Sequence, residues 1–164
     1  MMYFDHSATT PVHPDVLALM NSIQSTVYGN PSSIHSLGRK ARSIIENSRK
    51  QIAKAINAKP SQIVFTSGGT EANNQVFWSM IHQEKKHVLA SSIEHPAVLQ
   101  VLSKLSFFGI EHDLIPVNNK GEMSIPGLDS KLLNNTGLVS VMLANNEVGT
   151  IQAIKNMVEM LRDK

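Results

Sequence analysis

Three short stretches carry residues able to do chemistry, and each joins small or amide side chains to a polar group. Ser67-Gly68-Gly69-Thr70-Glu71 is a glycine-rich turn that follows the apolar run Ile63 to Thr66. Paired glycines let backbone N–H groups approach a ligand with no Cβ in the way. A helix opening directly after them presents unpaired donors and a partial positive charge. Together they make a seat for a phosphate, to which Thr70 adds a hydroxyl. The plainer reading is an ordinary strand-to-helix connection with Thr70 as N-cap and Glu71 in the first turn. Glu94-His95-Pro96 offers an imidazole, or simply an N-cap ahead of a proline. Asn145-Asn146-Glu147 offers a pair of carboxamides, or simply a turn.

These stretches fall where an alternating chain would place them. Ile63 to Thr66 reads as a buried strand, and Ala72 to Glu84 as a helix with Val76, Phe77, Met80 and Ile81 on one side. His87 to Ser91 reads as a strand, followed by a helix through Val98, Val101, Leu102 and Leu105 that Gly109 ends. Glu111 to Val117 alternates as a strand. Ser124 to Leu133 is a short helix, and Thr136 to Ala144 is a near-continuous apolar run of the kind parallel strands show. Ile151 to Leu161 is the last helix. Strands alternating with helices at this spacing predict βαβ units and a mainly parallel sheet. In such sheets ligands sit beyond the carboxyl ends of the strands. Gly69 and Thr70, His95, and Asn146 all follow such ends, a joint placement suited to a flat, phosphorylated, hydrogen-bonding cofactor.

Ahead of these elements, Tyr3 to Pro14 is a small, polar, proline-punctuated loop, and a helix then carries Val16, Leu17, Met20, Ile23 and Val27. Gly29 to Ser33 forms a second loop. Leu37, Ala41, Ile44, Ile45, Ser48, Ile52, Ala55 and Ile56 follow the helical 3, 4, 7, 8 spacing, so this stripe is expected to be core. Burial of each Ile would contribute about 1.5–3 kcal/mol. The opposite face carries Arg39, Lys40, Arg42, Arg49, Lys50 and Lys54. It reads as a solvated face rather than a nucleic-acid surface, because no aromatic residues interleave the charges.

The 164 residues suffice for a real core, and the net charge of +2 argues for no polyanionic partner. No apolar run approaches the roughly 18 residues of a membrane span. Nothing at the amino terminus reads as a signal peptide, so a cytoplasmic location is expected. The sequence has no cysteine, which excludes disulfides, thiolate metal sites and a cysteine nucleophile within this chain. Seven histidines are present, but none forms a close metal-binding pair, and no metal is expected.

The residues resemble a known family. Asp5 to Pro11 (DHSATTP), Gly29-Asn30-Pro31-Ser32-Ser33 with His35 and Gly38, Phe65 to Glu71 (FTSGGTE), Glu94 to Val98 (EHPAV) and Asn145 to Gly149 (NNEVG) occur in the order and at the spacing of cysteine desulfurases. These are pyridoxal 5′-phosphate (PLP) enzymes of the class V aminotransferase group, fold type I, and the chain is similar to their amino-terminal part. The resemblance implies a three-layer α/β/α PLP-dependent transferase large domain, incomplete in this chain. Residues 1–12 would be an active-site loop segment, and residues 13–164 the amino-terminal part of the PLP-binding domain. It implies that Gly69 and Thr70 hold the PLP phosphate. His95 would stack on the pyridine ring and act as the catalytic acid–base group, and Asn146 would lie near the phenolic oxygen. It also implies L-cysteine as substrate, a homodimeric parent protein, and a sulfur-acceptor or iron–sulfur scaffold partner.

In the family, the lysine that carries the cofactor, the aspartate on the pyridine nitrogen and the cysteine that takes the sulfur all lie beyond the stretch matched here. The chain alone is therefore expected to be inactive. The strand at Ile63 to Thr66 is expected to need a neighbour from a further piece or a second copy, since unpaired edges invite association. A selenocysteine lyase or another class V enzyme, and a non-catalytic scaffold, are the alternative readings.

Overall fold

A computed structural model describes residues 2–162, which divide into two compact units, one running to Phe65 and the other from Thr66 onward. In the first unit, α1 (Pro14–Thr26) starts at His13, whose Nδ1 accepts from the Asp15 N–H at 3.3 Å, with Pro14 where its missing N–H costs nothing. Helix α2 (Ser36–Ala55) starts at His35 in the same way, with Nδ1 accepting from the Gly38 N–H at 3.2 Å. The turn before α2 folds tightly onto that helix. A Cβ on Gly29 would lie 2.5 Å from the Leu37 carbonyl carbon, and one on Gly38 would lie 2.6 Å from the Asn30 oxygen.

Two expectations for this unit need correction. Helix α2 forms as its periodicity requires, but its stripe is not core throughout. Of the stripe, Ala41 is buried and Ile44 and Ile45 are half-buried, while Leu37, Ile52 and Ile56 keep 41%, 40% and 63% of their surface. Periodicity marks the face a helix can bury; it does not supply the partner that covers it. The run Ile63 to Thr66, expected as a buried strand, forms no ladder with any described strand, and Val64 and Phe65 are exposed. A side chain holds it instead. Arg49 Nη1 donates to the Ile63 carbonyl at 2.6 Å, and the guanidinium stands 4.9 Å over the Phe65 ring.

The second unit opens with α3 (Gly69–Ser79), which tightens into a 3-10 turn over Met80–His82. The central strand β1 (His87–Ser91) follows, then α4 (Pro96–Leu105), β2 (Glu111–Ile115), α5 (Ile125–Lys131), β3 (Thr136–Ser140) and α6 (Ile154–Arg162). The strand order is β2-β1-β3 and both pairings are parallel, as the alternating pattern predicts. All five β1 residues are buried, as in a strand covered on both faces. Successive side chains of β1 point to opposite layers. Val88 and Ala90 join Phe77, Met80, Val101, Leu102 and Leu105 from α3, α4 and the turn between α3 and β1. Leu89 joins Ile115, Leu128 and Met157 on the other face, over α5 and α6.

At the amino edge of the sheet, His87 Nδ1 meets Thr136 Oγ1 at 2.8 Å, tying the first residues of β1 and β3. Its Nε2, which has no hydrogen-bond partner among the described residues, lies 3.5 Å from Asp113 Oδ2. At the carboxyl edge, β3 stops at Ser140, short of the expected Ala144. The chain arches from Ala144, which forms an antiparallel bridge with Ile151. Helix α6 therefore starts at Ile154 rather than Ile151. The intervening Gln152 is buried, accepting from the Met123 N–H at 3.0 Å and donating to the Gly121 carbonyl at 2.6 Å. Its side-chain amide does the work of a backbone peptide group.

Candidate functional site

The glycine-rich turn is the mouth of α3. Gly68 is the N-cap, so Gly69 and Thr70 occupy the first two helical positions, and Thr70 is not the cap. The first backbone bond of the helix runs from the Ala72 N–H to the Gly68 carbonyl at 3.1 Å. Among the described residues, the N–H groups of Gly69, Thr70 and Glu71 and the Thr70 hydroxyl have no acceptor. A Cβ built on Gly68 or on Gly69 would meet nothing within 4 Å. Gly68 is extended, with φ 168°, a conformation any residue adopts, so neither packing nor backbone angle calls for glycine there. The two glycines leave open space at the start of a helix whose first N–H groups are unpaired among the described residues. The turn is held from behind by Glu71, whose Oε2 accepts from the Ser67 N–H at 2.7 Å and from its hydroxyl at 2.6 Å. These bonds from Ser67 hold the Glu71 carboxyl below the usual glutamate range.

His95 is the N-cap of α4, and its Nδ1 accepts from the Ala97 N–H at 3.0 Å. The plain reading of His95 is therefore correct, and it leaves the other nitrogen available. With Nδ1 an acceptor, the neutral ring carries its proton on Nε2. The ring is exposed.

Asn146 is also exposed, with Nδ2 donating to Glu147 Oε1 at 3.0 Å. Its neighbour Asn145 is buried and points the other way. Asn145 Nδ2 donates to the Ile93 carbonyl at 2.8 Å, and Oδ1 accepts from the Glu147 and Val148 N–H groups at 2.8 and 2.9 Å. Glu94, buried beside His95, accepts from the Met142 N–H at 2.6 Å through Oε1. Burial pushes its carboxyl above the usual range, against the Met142 bond that lowers it. The loop carrying His95 and the loop carrying Asn146 are thus bound together. No hydrogen bond joins either loop to Gly69 or Thr70 among the described residues. The loops at Asp5 to Pro11 and at Asn30 to Ser33 belong to the first unit.

The aminotransferase class-V family matches residues 2–164. The chain belongs to that family. Among its relatives, the cysteine desulfurase IscS 1 of Archaeoglobus fulgidus is 43% identical over 167 residues, a match covering 100% of this chain and 44% of the relative. The NifS/IcsS protein homolog of Lactobacillus delbrueckii is 40% identical over 166 residues, covering 99% and 43%. A solved NifS-like protein superimposes with a TM-score of 0.93 at 36% identity, over 99% of this chain and 45% of that one. A structure of SspA in complex with cysteine gives 0.92 at 34%, covering 99% and 48%. This class-V chain therefore has the α/β fold of NifS-like proteins, and it spans less than half the length of the relatives it matches.

Three contributors to the candidate site are not singled out by the sequence. Glu71 reads only as a first-turn acid, although its place four residues after Ser67 is the signal that it can reach back. Glu94 stands next to the more conspicuous His95. Asn145 has the same side chain as Asn146, so residue type alone does not tell the inward amide from the outward one.

Proposed function

We propose that this chain supplies the phosphate-binding and ring-facing parts of a PLP-dependent cysteine desulfurase. Such an enzyme takes L-cysteine to L-alanine and passes the sulfur on through a persulfide on one of its own cysteines. The observation that carries the reading is the mouth of α3, where the first N–H groups and the Thr70 hydroxyl are unpaired among the described residues and Gly68 and Gly69 leave open space beside them. That donor set fits a phosphate group. Gly69 and Thr70 would hold the phosphate through backbone N–H groups, with the Thr70 hydroxyl as a further donor. His95 would offer its flat face to the pyridine ring, and Asn146 an uncharged amide to the phenolic oxygen. When bound, PLP supplies the electron sink for chemistry at the substrate carbon. His95 exchanges protons through Nε2, because Nδ1 is committed to the Ala97 N–H.

The name of the Archaeoglobus relative and the likeness to SspA, solved in complex with cysteine, support L-cysteine as the substrate. We assign the whole protein a homodimeric state, a sulfur-acceptor or iron–sulfur scaffold partner, and a cytoplasmic location. No described helix is long and apolar enough to cross a membrane. The 164-residue chain holds no cysteine to take the sulfur, so by itself it releases none from L-cysteine.

PLP titration of the full-length protein tests the reading, with alanine formation from L-cysteine measured alongside. Thr70→Ala is expected to weaken PLP binding about tenfold, the loss of a hydrogen bond to a charged group. Unchanged affinity in that variant, or no PLP binding by the wild type, overturns it. Sulfide release by the purified 164-residue chain with PLP would overturn the claim of inactivity.

A further inference from the structure

Two buried polar side chains link loops far apart in sequence, and both links run beneath exposed residues of the candidate site. Glu94 Oε1 accepts from the Met142 N–H at 2.6 Å across 48 residues, and Asn145 Nδ2 donates to the Ile93 carbonyl at 2.8 Å across 52. The same Asn145 shapes its own loop by accepting from Glu147 and Val148. Each link is anchored one or two residues from a site residue. Glu94 adjoins His95, Ile93 lies two positions before it, and Asn145 adjoins Asn146. His95 is in turn fixed to its helix by the Ala97 N–H. A polar group buried this well is costly to leave unpaired, so each bond favours holding the two loops together.

We propose that Glu94 and Asn145 are positioning residues, a two-bond brace that sets His95 and Asn146 in register with each other. This role rests on reading the site as a PLP site. Neither residue touches the cofactor in that reading; they act through the neighbours that do. The brace is separate from the phosphate seat, since no bond joins it to Gly69 or Thr70. Its loss therefore disturbs the ring-facing groups and spares the hold on phosphate.

Three variants of the full-length protein separate the contributions. Asn145→Asp keeps the acceptor for Glu147 and Val148 and removes the donor to Ile93. Glu94→Ala removes the acceptor for Met142, while Glu94→Gln retains an oxygen in its place. In the wild type without PLP, hydrogen exchange should find the Met142 and Glu147 N–H groups protected. Glu94→Ala should raise exchange at Met142 about tenfold or more, Asn145→Asp should raise it as well through the shared brace, and Glu94→Gln should restore protection. With PLP, both disrupting variants should bind within about threefold of wild type while shifting the absorption band of the bound cofactor. Their kcat should fall about 10- to 100-fold with KM for L-cysteine little changed, the signature of misplaced groups rather than lost binding.

An unshifted band in Asn145→Asp overturns the proposal, and so does independent exchange at the two loops. Parallel loss of PLP affinity and of cooperative melting in every variant, Glu94→Gln included, also overturns it, because that is ordinary destabilisation. A wild type that fails to bind PLP overturns the functional reading and with it the role toward the ring, while the exchange data still decide whether the brace exists.

Discussion

At the mouth of α3, backbone N–H groups face open space with no acceptor. In the corner where the loops after β1 and β3 meet, the N–H groups of Met142, Glu147 and Val148 and the carbonyl of Ile93 are all engaged by two side chains. Each region also holds a glutamate whose ionisation is displaced, and the two displacements run in opposite directions. Glu71, on the surface and bonded to Ser67, ionises more easily than usual; Glu94, buried, ionises less easily. The difference follows from what each region is asked to do. A seat for an anion works through unspent donors, and local bonds within five residues suffice to shape it. Two functional groups on separate loops can share a ligand only if something fixes the loops to each other, and that requires polar groups inside the structure.

The hardest blow to this contrast falls in the corner. Asn145→Leu removes the buried amide that pairs the Ile93 carbonyl and the Glu147 and Val148 N–H groups. Urea unfolding should show a loss of about 1–3 kcal/mol, whereas Thr70→Ala at the surface should stay within about 0.5 kcal/mol. The mouth of α3 should answer a different probe. Gly68→Ala meets nothing in the chain, so its unfolding midpoint should hold while PLP affinity in the full-length protein falls, as measured by titration. A Gly68→Ala protein that binds PLP normally would mean that the cleared space is not the phosphate position.

The two glutamates give the smallest and most diagnostic effect. The Glu71 pKa is lowered in the folded chain, so its stabilisation is present above the unfolded value and is lost as pH falls through the folded value. The Glu94 pKa is raised, so the folded chain binds the proton more tightly, and stability declines as pH rises from the unfolded value through the folded one. Unfolding measured across the acid range should therefore flatten at its low end in Glu71→Gln and lose the decline with rising pH in Glu94→Gln. Changes of the same sign in the two variants would remove the contrast.

Much of the second unit is legible in the sequence, because its signals are local. The apolar run at His87 to Ser91, the helical stripe through Val98, Val101, Leu102 and Leu105, and the glycine stop at Gly109 each report a conformation that the structure adopts. The failures concern partnership. Ile63 to Thr66 has the composition of a strand, but a strand is a relation between two segments, and Arg49 takes the place of the missing ladder. The α2 stripe has the spacing of a core face, yet burial depends on what lies opposite. At the site, His95 and Asn146 are exposed, and the inward roles of Glu94 and Asn145 depend on loops 48 and 52 residues away in sequence. No periodicity encodes that distance.

The amide of Gln152 has a mechanical consequence. It moors the returning end of the arch from Ala144 to Ile151 against Gly121 and Met123, while Asn145 and the bridge between Ala144 and Ile151 secure its base. Asn146 rides on a span with footings at both ends rather than on a free flap. Within that span the chain turns at Gly149, whose φ of 74° suits glycine, and the Gly149 N–H closes the turn on the Asn145 carbonyl at 2.9 Å.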